Sequence, residues 1–185
     1  PDIGRDLNVA HTNDVQLVIM VMFLGMALGQ LLYGPLADSL GRRRPIMLGF
    51  VLYLSGSVVC LFSGTLTMLL LGRFLQGFGS AAFRIVTVAI IRDRFEGPTM
   101  AQVMSFVMTI FILVPVVAPA IGQGILWLAG WRAIFGMFLA NGVVLLLWFL
   151  VRMRETLPPE KRTPLSFRRT LAGVVEIFRI RAALG

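Results

Sequence analysis

Five long apolar runs, separated by short polar segments, organise the chain at approximately Val15 to Tyr33, Pro45 to Phe62, Leu66 to Ile91, Met100 to Leu128 and Ile134 to Val151. A bilayer core about 30 Å thick needs roughly 20 apolar residues in helical form, so each run predicts a membrane-spanning helix. A soluble bundle of amphipathic helices would carry a polar face on every helix. Val15 to Tyr33, by contrast, has only Gln16 and Gln30 as strongly polar side chains. The expected class is therefore all-α and polytopic.

Composition agrees with this reading. The chain is 57% hydrophobic and 14% charged, where soluble domains run near 45 to 50% and about 25%, so lipid must solvate much of its apolar surface. A net charge of +8 could suit a nucleic-acid backbone, but the basic residues fall in short runs between the spans, and no nucleic-acid partner is expected. Arg42, Arg43, Arg44, Arg92, Arg94, Arg152 and Arg154 fall on one side of the spans, together with all the basic residues of the C-terminal tail. Arg5 and Arg132 stand on the other side. Basic residues in short loops mark the cytoplasmic face, which makes Asp2 to Asp14 an external loop. With an odd number of spans, a helix ending near Pro1 is expected to precede the chain.

After Val151 a polar, proline-broken linker begins at Glu155-Thr156-Leu157-Pro158-Pro159. Its continuation, Leu165 to Leu184, alternates apolar residues with Arg168, Arg169, Arg179 and Arg181, which predicts an amphipathic helix on the cytoplasmic membrane surface. The expected domains are thus residues 1–156, a helical bundle, and 157–185, a cytoplasmic linker.

One span carries charge. At 100° per residue Arg73 and Arg84, eleven positions apart, lie about 20° apart on the helix wheel. Gln76, Gly77, Ser80 and Thr87 fall on the same side, whereas Leu75, Phe78, Ala82, Val86 and Ala89 lie opposite. A central arginine costs roughly 2.5 to 3.5 kcal/mol to insert. The stripe is therefore expected to face an aqueous cavity or a charged partner, with snorkelling of both arginines to the interfaces as the alternative. Gln76, Ser80, Arg84 and Thr87 become candidate cavity residues. Gln102, Ser105, Thr109 and Gln123 on the next span are further candidates, against simple packing. No Asp or Glu lies within the five runs. Asp2 and Asp14, at the ends of spans, read equally as loop charges or caps. Gly25-x-x-x-Gly29 allows close helix packing. Pro115 and Pro119 remove backbone bonds and suit either a hinge or a static bend. The single histidine and single cysteine, His11 and Cys60, stand in different settings, so neither a catalytic set nor a metal site is expected. Cys60 reads as a packed hydrophobe.

The segment Gly34-x-x-x-Asp38-x-x-Gly41-Arg42-Arg43 closely resembles the signature loop of the major facilitator superfamily. Arg73-Phe74-Leu75-Gln76-Gly77 resembles that family's intramembrane arginine motif, and Arg92-Asp93-Arg94 the charged end of the same helix. Trp131-Arg132 and Glu155-Thr156-Leu157 look like the boundaries of the sixth helix in drug-exporting members. The run Pro115 to Gly122 is similar to the fifth helix of the bicyclomycin and chloramphenicol resistance (Bcr/CflA) branch. Pro115, Pro119 and Gly122 make up its helix-kink motif; of the fuller antiporter motif Pro119 and Gly122 are the good matches, with Ser105, Val114, Ala118 and Gln123 standing where that motif expects glycines.

The resemblance implies the N-terminal six-helix bundle of a twelve-helix transporter, lacking most of helix 1 and dependent on an absent second half. It further implies proton-driven efflux of hydrophobic or amphipathic small molecules across a bacterial inner membrane, powered by the proton gradient and without a cofactor. In such exporters the arginine matching Arg73 takes part in proton coupling. Asp38, Arg42 and Asp93 would form a cytoplasmic charge cluster, a candidate latch for the outward-facing state. Symport of a nutrient on the same fold is the alternative, because fold does not fix direction or substrate. A membrane enzyme would need a nucleophile and base or a metal cluster, and a non-transporting scaffold would not need a polar stripe inside a helix.

Overall fold

The computed structural model describes residues 6, 7 and 14–164. It contains α1 (Asp14–Leu40), α2 (Arg43–Leu61), α3 (Leu66–Arg94), α4 (Gly97–Ala129) and α5 (Trp131–Arg152), followed by a 3-10 turn at Pro159–Lys161. Among the described residues there is no strand, and all five helices are long and apolar enough to cross a membrane. The expected helix over Leu165 to Leu184, together with Asp2, Arg5 and His11, lies outside the described residues.

Helix ends follow local chemistry. Thr65 caps α3 by accepting the Met68 N–H, the role a β-region Thr takes before a helix. Pro45 and Pro98 sit in the first turns of α2 and α4, where the missing N–H has no intrahelical partner to lose. Gly130, at φ +76°, joins α4 to α5 in a backbone conformation that L side chains avoid.

The largest departure from the sequence reading is at the signature loop. Gly34 to Leu40 continues α1 for two turns beyond Tyr33, through Pro35, and only Gly41 and Arg42 separate α1 from α2. Hydropathy falls at Asp38 and Ser39, but the backbone hydrogen bonding of a helix does not depend on hydropathy. The turn is made by Gly41 at φ +90°. Likewise α4 runs unbroken through Pro115 and Pro119.

Helix α3 is the centre of the bundle, flanked by α1 and α2. Small residues permit this. A Cβ on Gly77 would run into the Met22 carbonyl of α1, and one on Gly79 would come within 2.5 Å of the Tyr53 backbone nitrogen of α2. Without a hydrophobic driving force between helices in lipid, such close backbone approach supplies the packing energy. Helix α4 contrasts with α3, because none of its residues is buried.

Candidate functional site

At the end of the bundle that carries most of the basic residues, the turn between α1 and α2 brings together groups from three helices. Arg42, nearly inaccessible, pairs through Nε with Asp93 Oδ2 at 2.8 Å and through Nη1 with Asp38 Oδ1 at 2.6 Å. Its Nη2 donates to Asp93 Oδ1 at 3.3 Å, giving a forked contact, which suits the planar guanidinium. Burial by itself would lower the Arg42 pKa, but Asp93 and Asp38 outweigh it and hold the guanidinium above its ordinary value.

Behind this cluster stands Glu155, just past α5. Its Oε1 accepts the backbone N–H of Arg42 at 2.8 Å and its Oε2 that of Arg43 at 3.1 Å, so a carboxylate from the end of α5 caps the N-terminus of α2. It also accepts from the Thr156 and Leu157 N–H groups. Burial pushes its pKa up, yet these four N–H donors pull it below the ordinary 4.5. A Cβ on Gly41 would lie 2.6 Å from Glu155 Oε2, so the glycine serves both the turn and the seat of the carboxylate. Thr163 adds an N–H to the Asp38 carbonyl at 3.0 Å, and with it the polar linker is tied to the end of α1.

Roughly 30 Å along α3 from this end, by its rise per residue, sits Arg73. Its Nη1 donates to Gln76 Oε1 at 3.0 Å, and its guanidinium carbon lies 4.6 Å from the centre of the Phe135 ring on α5. Gln76 Nε2 in turn donates to Ser57 Oγ on α2 at 2.9 Å, and Ser57 to the Tyr53 carbonyl at 2.8 Å. Arg73 Nε is buried with no hydrogen-bond partner. No carboxylate pairs with Arg73 among the described residues. The charge is held by dipoles and a ring face.

The opposite end has its own tie. Asp6 Oδ2 accepts from Trp131 Nε1 and from Arg132 Nη1, both at 2.9 Å, while Arg132 stacks on Trp131 and donates to the Ser63 carbonyl. The Trp131 bond, then the Arg132 bond, hold the Asp6 pKa below its ordinary value.

The expected cavity residues do not meet in one place. Arg84 lines a cavity of about 470 Å³ between α1 and α3 that also includes Asp38, Arg42 and Asp93. Gln76 is instead buried in the α2 interface, Ser80 bonds back to the Gly77 carbonyl, and Thr87 lines a separate apolar groove. Ser105 and Thr109 are exposed on α4, where the threonine hydroxyl bonds to the Ser105 carbonyl. A wheel projection compares angles but not heights or neighbours, and α3 is covered on two sides. Gly122 and the two α4 prolines lie on the same unburied helix. Gly34 has open space around it, Arg43 is exposed, and only Gly41 of the signature glycines is sterically committed. The wheel also missed Glu155, Ser57 and Phe135, since each belongs to another helix or to a linker. The signal for Glu155 was its place in the Glu155-Thr156-Leu157 segment just after the last span, which marks a helix boundary but names no partner.

A family model for the Major Facilitator Superfamily matches residues 1–184. The uncharacterized MFS-type transporter YdgK of Bacillus subtilis (strain 168) is 36% identical over 187 residues, which cover 100% of this chain and 46% of that protein. Multidrug resistance protein MdtL of Escherichia coli (strain SMS-3-5 / SECEC) is 34% identical over 158 residues, 85% of this chain and 40% of that protein. The chain thus spans less than half the length of these curated relatives. Among solved structures, that of a mutant peptide transporter POT in complex with sulfate superposes with a TM-score of 0.69 at 16% identity, over 95% of this chain and 38% of the other. The human organic anion transporter MFSD10 (TETRAN) gives a TM-score of 0.62 at 26% identity, over 90% of this chain and 40% of the other.

Proposed function

Because the chain belongs to the major facilitator superfamily, a family of multi-pass membrane transporters, we propose that it forms one bundle of a proton-coupled multidrug exporter of the Bcr/CflA branch. In this reading it works by alternating access in a bacterial inner membrane, with the basic end in the cytoplasm and the proton gradient as its energy source. It carries hydrophobic or amphipathic small molecules, needs no cofactor, and functions only with a second bundle. The similarity to a multidrug resistance protein supports the cargo class.

The observation that carries the coupling role is Arg73: a cation inside a membrane span, held by Gln76 and Phe135 without a carboxylate partner among the described residues. A fixed positive charge in low dielectric favours the deprotonated form of any acid brought near it. Movement of the bundles toward or away from Arg73 would then change a carrier's proton affinity. At the basic end, the Asp38–Arg42–Asp93 cluster braces α1, α2 and α3 in one of the two access states.

The test uses the full-length transporter in energised everted vesicles. Drug addition is expected to release lumenal protons, and Arg73→Ala to abolish that release while insertion is unchanged. Arg73→Lys should keep part of it. Full proton release by Arg73→Ala would remove the assigned role, and substrate movement in the same direction as protons would replace antiport by symport.

A further inference from the structure

Helices α2, α3 and α5 together line an apolar groove of about 360 Å³, which does not include Arg73 and is separate from the cavity at Arg84. Its floor is aromatic, with the Phe50 ring 4.5 Å from Phe83 and 5.7 Å from Phe149. Trp148 forms an exposed wall, and Thr87 contributes a hydroxyl to the lining.

Helical register sets a cation beyond each wall. On α2 the groove residues are Ile46 and Phe50, and Arg43 lies three and seven positions before them, on the same face. On α3 they are Phe83, Thr87 and Ile90, and Arg94 follows at eleven, seven and four positions. On α5 they are Leu145, Trp148 and Phe149, and Arg152 follows at seven, four and three. Three helices therefore each continue the groove face into an arginine within about one turn of its edge. All three arginines are exposed, and none forms an ion pair among the described residues.

We propose that this groove binds one anionic phospholipid, with an acyl chain on the Phe50, Phe83 and Phe149 floor and the phosphodiester between Arg43, Arg94 and Arg152. The helices around it span a bilayer, so an acyl chain is the apolar ligand at hand. A guanidinium matches phosphate in a forked geometry, and basic residues at the membrane surface attract anionic lipid. A tryptophan at the same level suits the headgroup boundary. The site is built from α2, α3 and α5 of this bundle, away from Arg73 and Arg84.

Trp148 provides the readout. Full-length transporter in nanodiscs is titrated with brominated phosphatidylglycerol or brominated phosphatidylcholine, and the Trp148 contribution is taken as the difference from Trp148→Phe. Quenching should half-saturate at a several-fold lower mole fraction of the anionic lipid. Each of Arg43→Gln, Arg94→Gln and Arg152→Gln should reduce that preference roughly two- to fivefold, while the corresponding Lys variants should keep it. Equal quenching by the two lipids would overturn the proposal. So would a preference retained in all three Gln variants with unchanged melting temperature, or displacement of both lipids alike by an amphipathic drug, which would make the groove a solute site.

Discussion

Glu155→Ala isolates the tie between the end of α5 and the start of α2. The side chain accepts the Arg42 and Arg43 N–H groups at 2.8 and 3.1 Å, two donors that have no partner within α2. A side-chain cap of this kind contributes about 1 kcal/mol, and a carboxylate at a helix N-terminus adds about 0.3 to 1 kcal/mol. The bonds to the Thr156 and Leu157 N–H groups are local, one and two positions along the chain, and water can replace them without affecting α2. The loss should therefore be about 1.3 to 2 kcal/mol, centred on the first turn of α2. Amide hydrogen exchange on the purified full-length protein should speed up roughly 10- to 30-fold at Arg42 and Arg43. Glu155→Gln, which keeps one carbonyl acceptor but no charge, should fall between. The pH dependence has a fixed sign. Because the folded pKa lies below the ordinary 4.5, the stabilisation is fully present above about pH 4.5 and is lost as pH falls through the lower folded value. The melting-temperature difference between the native protein and Glu155→Ala should accordingly shrink at acidic pH. Unchanged exchange at Arg42 and Arg43 in the Ala variant would refute the capping role.

The two signature glycines flanking Asp38 should behave oppositely. Gly41→Ala meets a left-handed backbone costing about 1 to 2 kcal/mol and displaces the Glu155 carboxylate, whereas Gly34→Ala, in open helix, should be neutral or stabilising by about 0.5 to 1 kcal/mol. Thermal midpoints in one detergent would compare them, and Gly41→Ala combined with Glu155→Ala should cost less than the sum. Gly77→Ala drives a methyl into the Met22 carbonyl and should separate α1 from α3 at a cost of about 1 to 3 kcal/mol or more. Folded yield would report this, with Gly124→Ala, which has nothing within 4 Å, as the neutral control.

Hydropathy and charge alone determined the five helices, because backbone groups in lipid must bond internally and a helix of fixed rise needs a fixed apolar length. The spacing of Gly34, Asp38, Gly41 and Arg42, with Arg73 and Asp93 in order after it, carried the family resemblance. Asp38, Arg42 and Asp93 also stood out as charges at helix ends, and the structure brings them within ion-pair distance. The partners could not be read along the chain. Glu155 lies 113 positions from Arg42, and Phe135 and Ser57 reach Arg73 and Gln76 from other helices. The polar stripe of α3 divided among a buried interface, a cavity and a separate apolar groove for the same reason. Periodicity fixes the angle at which a side chain leaves its own helix, but only the packing of neighbouring helices, set here by which glycines admit a backbone, decides what that side chain meets.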